Sequence, residues 1–87
     1  MTAIGGGIEG LDGLRKNFDL QVTVVDKLIG DIDKDLGATY WEGPAADRFK
    51  TTWNTDYKKM LNNLKAALAE ASGEVARRRQ ALIDAGS

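Results

Sequence analysis

Two long stretches of the chain repeat their apolar residues at helical spacing. In the first, from about Ile8 to Leu36, apolar residues follow one another in steps of three or four, with a mean spacing of about 3.6 residues. The pattern predicts a helix over about 8–36, and Val24 and Leu28 widen its apolar side. The stripe consists of Leu11, Leu14, Phe18, Val22, Val25, Ile29, Ile32 and Leu36.

The second stretch runs from Pro44 to about Ala85. At 100° per residue its apolar positions cover an arc of roughly 120°, which predicts a second helix with one broad apolar stripe. Phe49 and Trp53 lie on this stripe and are predicted to belong to the core. The stripe consists of Phe49, Trp53, Tyr57, Met60, Leu61, Leu64, Leu68, Ala71, Val75 and Leu82.

A short connection separates the two stretches. Gly37 follows the first stripe as a candidate C′ residue, where a positive φ ends a helix at little cost. Pro44, the only proline, is suited to the first position of a helix. A short link makes long helices antiparallel neighbours. The sequence therefore predicts one all-α domain over residues 1–87, an antiparallel two-helix hairpin with its turn at 37–43.

Composition argues against an enzyme. The 87 residues include neither Cys nor His, which removes disulfides, the usual zinc ligands and the commonest catalytic nucleophile–base pairs. Asp31, Asp33 and Asp35 alternate along a helix and cannot share one face as a catalytic pair, so they are interpreted as a solvated acidic surface. The sequence predicts no catalytic residue, cofactor or metal.

Charge and hydropathy narrow the choice of partners. The net charge is −1, which argues against nucleic acid, although residues 1–43 are net acidic and residues 44–87 net basic. No apolar run approaches the ~18 residues of a membrane span, so no stable membrane insertion is expected. The N-terminal stretch lacks the features of a secretory signal peptide. Its G-x-G-x-x-G spacing at Gly5, Gly7 and Gly10 precedes no strand and is interpreted as a flexible lead-in.

The apolar stripes are broader than one hairpin can cover. Fully burying a large apolar side chain is worth roughly 1.5–3 kcal/mol, so the uncovered remainder favours pairing with a second hairpin. We therefore expect dimerisation into a four-helix bundle. The residues expected to form the core and the dimer contact are Leu11, Leu14, Phe18, Val25, Ile29, Ile32, Phe49, Trp53, Leu64, Leu68 and Val75.

The connection carries a recognisable motif. Trp41-Glu42-Gly43 continues as W-x-G-x-A-A-x-x-F-x-x-x-W, ending at Trp53. This string, between two amphipathic helices in a chain below a hundred residues, resembles the WXG family of early-secreted-antigen-type proteins. That family comprises substrates of the type VII (ESX) secretion system of Gram-positive bacteria.

The resemblance implies partners and a location. Family members pair as homodimers, or as heterodimers with a sister W-x-G protein or a toxin's N-terminal helical domain. A type VII secretion ATPase recognises the dimer, which is made in the cytoplasm and secreted folded. Trp41 would form part of the export surface, or else serve as an apolar plug at the end of the bundle, and Gly43 would shape the turn.

The C-terminal part departs from the family pattern. A Tyr-x-x-x-Asp/Glu export motif is expected there, and this chain offers Gln80-x-x-x-Asp84 instead. The resemblance therefore implies the dimer member without the tyrosine signal. The alternative is a non-secreted helical adaptor or chaperone for a larger toxin or effector.

Overall fold

The computed structural model describes residues 7–86, all of them in helices or in the short segments flanking them. Helix α1 spans Ile8–Ala38, α2 spans Pro44–Thr52, a π-helical turn spans Trp53–Tyr57, and α3 spans Lys58–Gly86. Helix α1 packs along α3, which confirms the all-α hairpin. The result is a rod of 64 × 22 × 17 Å.

The N-terminal glycines lie partly outside the described residues. Gly5 is not among them, and neither are the other residues before Gly7. Gly7 has a positive φ of 86° and immediately precedes α1. Helix α1 begins at Ile8, as the apolar pattern predicted, so the interpretation of Gly10 as part of a flexible lead-in is wrong.

Helix α1 also ends later than expected. Gly37 remains helical, and the prediction that its positive φ would end the helix is wrong. Instead the backbone N–H of Thr39 donates to the carbonyl oxygen of Asp35 at 2.9 Å, and the Thr39 hydroxyl donates to the same oxygen at 2.6 Å. These bonds satisfy a carbonyl that the helix end leaves without an intrahelical partner. Gly43, with φ 111° and ψ 171°, provides the unusual backbone conformation just before Pro44 opens α2.

The second half of the hairpin is not a regular α-helix throughout. At the π-helical turn the backbone N–H of Lys58 donates to the carbonyl of Trp53, five residues earlier rather than four. A π-turn accommodates one residue more per turn than the α-helix. The predicted uninterrupted helix over 44–85 is therefore divided at Trp53–Tyr57 by a local widening.

The core is thin because only two helices build it. Val25, Ile29 and Trp53 are its buried centre, and the partly buried side chains packed against them are Ile32, Leu36, Leu61 and Leu68. Ala46 is buried nearer the connection. Among residues 7–86, no large side chain is completely buried. A single hairpin therefore leaves substantial parts of both apolar stripes in contact with water.

Candidate functional site

One edge of the α1–α3 contact carries a row of polar pairs, which we call the polar ladder. Four aspartates of α1 recur every seven residues, and their partners recur every seven residues in the opposite direction along α3. The pairs are Asp12–Arg79, Asp19–Ser72, Asp26–Lys65 and Asp33–Lys58. Residues seven apart lie nearly on one line of a helix, since two turns take 7.2 residues. The ladder therefore runs the length of the hairpin.

Lysine partners two of the four aspartates, serine one and arginine one. Lys65 contacts Asp26 at 2.6 Å, and the hydroxyl of buried Ser72 donates to Asp19 at 2.6 Å. The buried Nε of Arg79 forms an ion pair with Asp12 but makes no hydrogen bond. Exposed ion pairs add little stability because solvent screens them. The matched spacing instead favours one register, because sliding α3 by a turn would separate every pair.

Asp33 has the most extensive contacts of the ladder. Its Oδ1 accepts a hydrogen bond of 2.7 Å from Trp53 Nε1, and its Oδ2 lies 2.9 Å from Lys58 Nζ. The Trp53 N–H, and after it Lys58, lower the pKa of this carboxyl below its ordinary value of 3.8. Asp31, Asp33 and Asp35 are all exposed, as expected for a solvated acidic surface. Asp33 in addition bonds across the hairpin, whereas Asp31 pairs with Lys27 of its own helix.

The opposite edge of the α1–α3 contact is apolar and uncovered. Leu14 and Leu28 each follow a ladder aspartate by two residues, about 200° around α1. In the second half of the hairpin, Tyr57 at the end of the π-turn and Leu64 on α3 each precede a ladder residue by one, about 100° around the helix. Because the helices are antiparallel, both displacements lead to the same side of the rod. We call this side the apolar face; its exposed members are Leu14, Val24, Leu28, Tyr57, Met60 and Leu64.

A groove between the two helices supports this placement. It has a volume of about 310 Å³ and lies near the free ends of the hairpin. Helix α1 contributes Leu11, Leu14 and Phe18, and α3 contributes Ala71 and Val75. Apolar side chains of both helices therefore border one continuous depression. Arg78 and Glu74, which form an ion pair at 3.3 Å, also line this groove.

At the connection the apolar face continues as three aromatic rings, which we call the aromatic row: Trp41, Phe49 and Tyr57. The ring centroids of Trp41 and Phe49 are 5.6 Å apart, and those of Phe49 and Tyr57 are 6.4 Å apart. Trp41 remains 40% exposed, and the other two are similarly exposed. Lys50 donates to the carbonyl of Trp41 at 3.1 Å, which holds the connection against α2.

The residues expected in the core and dimer contact fall into three groups. Val25, Ile29 and Trp53 are buried between the helices, with Ile32 and Leu68 packed on them. Leu11, Phe18 and Val75 are half-buried along the groove. Leu14, Phe49 and Leu64 are exposed, as is Trp41 of the proposed export motif. The exposed group is brought together on one side of the rod, and Gly43 lies beside it in the connection.

Sequence reasoning missed the polar ladder and the π-turn, although both have a signal. Asp12, Asp19, Asp26 and Asp33 show a seven-residue period that is visible in the sequence. On the second helix, Trp53 and Leu61 are eight residues apart, whereas Leu61, Leu68, Val75 and Leu82 are seven apart. The additional residue falls within the π-turn.

Together the fold and these surfaces define a helical hairpin with one polar edge and one uncovered apolar face. No family model, curated protein or solved structure matches this chain. No helix within residues 7–86 combines the length and apolar character that crossing a membrane would require.

Proposed function

We propose that this chain is one member of a helical dimer exported by a type VII (ESX) secretion system. The proposal rests on one observation above all: Trp41 of the W-x-G tripeptide is exposed at the connection, in line with an uncovered apolar face. The W-x-G resemblance then gives this surface a role, which is to present Trp41 to the secretion ATPase while the apolar face holds a partner.

The apolar face supports the dimer half of the proposal. Its members are large and lie side by side, and covering each would contribute up to roughly 1.5–3 kcal/mol. A chain of this size buries only about 60% of the surface exposed on unfolding, so its own stability is small. A second helical hairpin, from an identical chain, a sister W-x-G protein or a toxin's helical domain, would supply the missing layer of a four-helix bundle.

The C-terminal part of α3 supports the assignment as the member without a tyrosine signal. Gln80 stands where the resemblance leads one to expect tyrosine, and its side-chain amide donates to Asp84 at 3.0 Å. In this proposal the partner provides the Tyr-x-x-x-Asp/Glu motif. Trp41 of this chain provides the other half of a composite export surface.

The test compares two neighbouring aromatic residues in a host with a type VII secretion machine. Trp41→Ala removes a half-exposed ring that contacts Phe49, at a local cost far from the α1–α3 core. Tyr40→Ala removes the adjacent ring, which is 87% exposed and outside the aromatic row. We expect both variants to form dimers, but only Trp41→Ala to be lost from the medium, because one aromatic anchor often dominates a recognition surface.

Other outcomes contradict parts of the proposal. Normal export of dimeric Trp41→Ala would make this side chain a packing element of the bundle end. A wild-type dimer that never reaches the medium, with or without the ATPase, would instead favour the non-secreted adaptor or chaperone.

A further inference from the structure

In the second half of the hairpin, residues in equivalent positions are one residue farther apart across the π-turn than beyond it. Across the turn, three pairs that occupy equivalent positions are eight residues apart: Phe49 and Tyr57, Lys50 and Lys58, Trp53 and Leu61. Beyond it the period is seven, as in the polar ladder. The π-turn therefore takes up one additional residue in an otherwise seven-residue repeat.

This additional residue determines whether the aromatic row is aligned. At 100° per residue, eight α-helical residues would place Tyr57 about 80° past two full turns from Phe49. With one residue absorbed, the separation is equivalent to seven residues, about 20° short of two turns. The observed ring distance of 6.4 Å agrees with the second geometry. Trp41, 5.6 Å from Phe49, follows the same line.

Asp33 of α1 binds both ends of the π-turn, and we call these two contacts the fastening. One carboxylate oxygen accepts from Trp53, the first residue of the turn, and the other contacts Lys58, the residue after its last. Trp53 is also only 5% exposed, packed in the core with Val25 and Ile29. π-turns are rare and frequently lie at functional sites, so contacts that hold both ends of this one are informative.

We propose that Asp33 and Trp53 are positioning residues: they hold the additional residue in the π-turn and thereby align Trp41, Phe49 and Tyr57 on the apolar face. Neither belongs to the aromatic row: Trp53 lies in the core and Asp33 in the polar ladder. The alignment stands on geometry alone. Only its consequence, correct presentation of Trp41 to a partner, rests on the proposed function.

The first test removes the fastening. Trp53→Phe keeps an aromatic ring in the core but loses the Nε1–H donor, and Asp33→Ala loses both contacts. In each variant we expect the turn to become α-helical and the nuclear Overhauser contacts between the Phe49 and Tyr57 rings to disappear. Asp26→Ala is the matched control, because it removes the Lys65 contact one ladder step away and should preserve those ring contacts.

The second test removes the additional residue itself. Deleting Thr55, an exposed residue inside the π-turn, places Phe49 and Tyr57 seven positions apart instead of eight. A regular α-helix then aligns the row without any fastening, so this deletion should restore the ring contacts in the Trp53→Phe background. Deleting exposed Asn63 is the control, because this position lies in the regular α-helix of α3 and holds no additional residue. This deletion should shift the ladder residues that follow it out of register with α1.

Two results would overturn the proposal. Retained ring contacts and a retained Lys58–Trp53 backbone bond in both fastening variants would show that Asp33 and Trp53 do not position the row. Loss of the ring contacts on deletion of Thr55 from the wild type would show that the turn holds no additional residue. If the three rings are aligned but the protein neither dimerises nor is exported, the result would count against the proposed function and not against this inference.

Discussion

At the scale of the residue, Asp33 shows how a side chain's role depends on its position across the hairpin. Asp31 and Asp35, its neighbours in the acidic triplet, lie on other sides of α1 because alternate residues of a helix do not share a face. Only Asp33 falls in the polar ladder, where it meets the Trp53 indole N–H and Lys58. The sequence identified the acidic triplet, but the distinction among its members required the register between α1 and α3.

The lowered pKa of Asp33 predicts a dependence of stability on pH. Because the folded state lowers this pKa below the unfolded value near 3.8, the contribution is fully present above that value. It is lost as the pH falls through the lower, folded-state pKa. Asp33→Asn keeps an acceptor for Trp53 but does not titrate. We expect its melting temperature to fall less than that of the wild type between pH 5 and pH 2, as followed by circular dichroism.

Asp31→Asn is the control for this measurement, because Asp31 pairs with Lys27 on the exposed side of α1. Its melting temperature should follow the wild-type pH profile more closely than that of Asp33→Asn. Identical profiles for the wild type and Asp33→Asn would contradict the stated role of this carboxyl.

At the scale of the element, the helices were predictable and their junctions less so. The 3.6-residue period located both long helices, since it reflects the side that each buries. Pro44 correctly marked the start of α2. The prediction that α1 ends at Gly37 was wrong because a helix tolerates an interior glycine. Thr39 provides the terminal hydrogen bonds instead. The π-turn was missed because a search for helical periodicity does not register one additional residue.

Two glycines give opposite predictions for the same substitution. Gly43 has a φ of 111° with ψ 171°, a region that is essentially restricted to glycine, so Gly43→Ala should reduce the free energy of unfolding by about 1–3 kcal/mol. Gly30 lies within α1, where a β-carbon would meet no neighbouring side chain within 4 Å. Gly30→Ala should therefore increase it by about 0.5–1 kcal/mol. Urea unfolding of both variants tests the pair, and a stabilising Gly43→Ala would contradict the account of the connection.

At the scale of the whole molecule, the hairpin is a rod with an incomplete core. The sequence predicted the antiparallel arrangement, because a short link between long helices leaves few alternatives. It could not separate buried core residues from those that the hairpin leaves exposed, since Leu64 and Leu68 lie on the same stripe. The structure separates them: Leu68 packs on the core cluster, whereas Leu64 is 46% exposed. That difference follows from where α1 lies, which one helix's periodicity does not contain.

The same substitution to aspartate should have different effects in the core and on the apolar face. Val25→Asp places a charge at an 8% exposed position between the helices and should unfold the hairpin, because burial without a partner costs several kcal/mol. Leu64→Asp places the same charge on the apolar face. A single hairpin would tolerate it within about 0.5 kcal/mol, as for an ordinary surface site. If another chain covers Leu64, we expect loss of the dimer and of most of the helical signal.

The central claim is that another helical chain covers the apolar face. Light scattering tests it most directly, by measuring the molar mass of the purified wild-type protein at micromolar concentration. Circular dichroism of the same sample reports its helicity. We predict twice the mass of a single chain with cooperative melting, and loss of that mass in Leu64→Asp. If the wild type instead requires a different partner, it should be poorly helical until that partner is added. A fully helical wild-type monomer that melts cooperatively at micromolar concentration would contradict the claim.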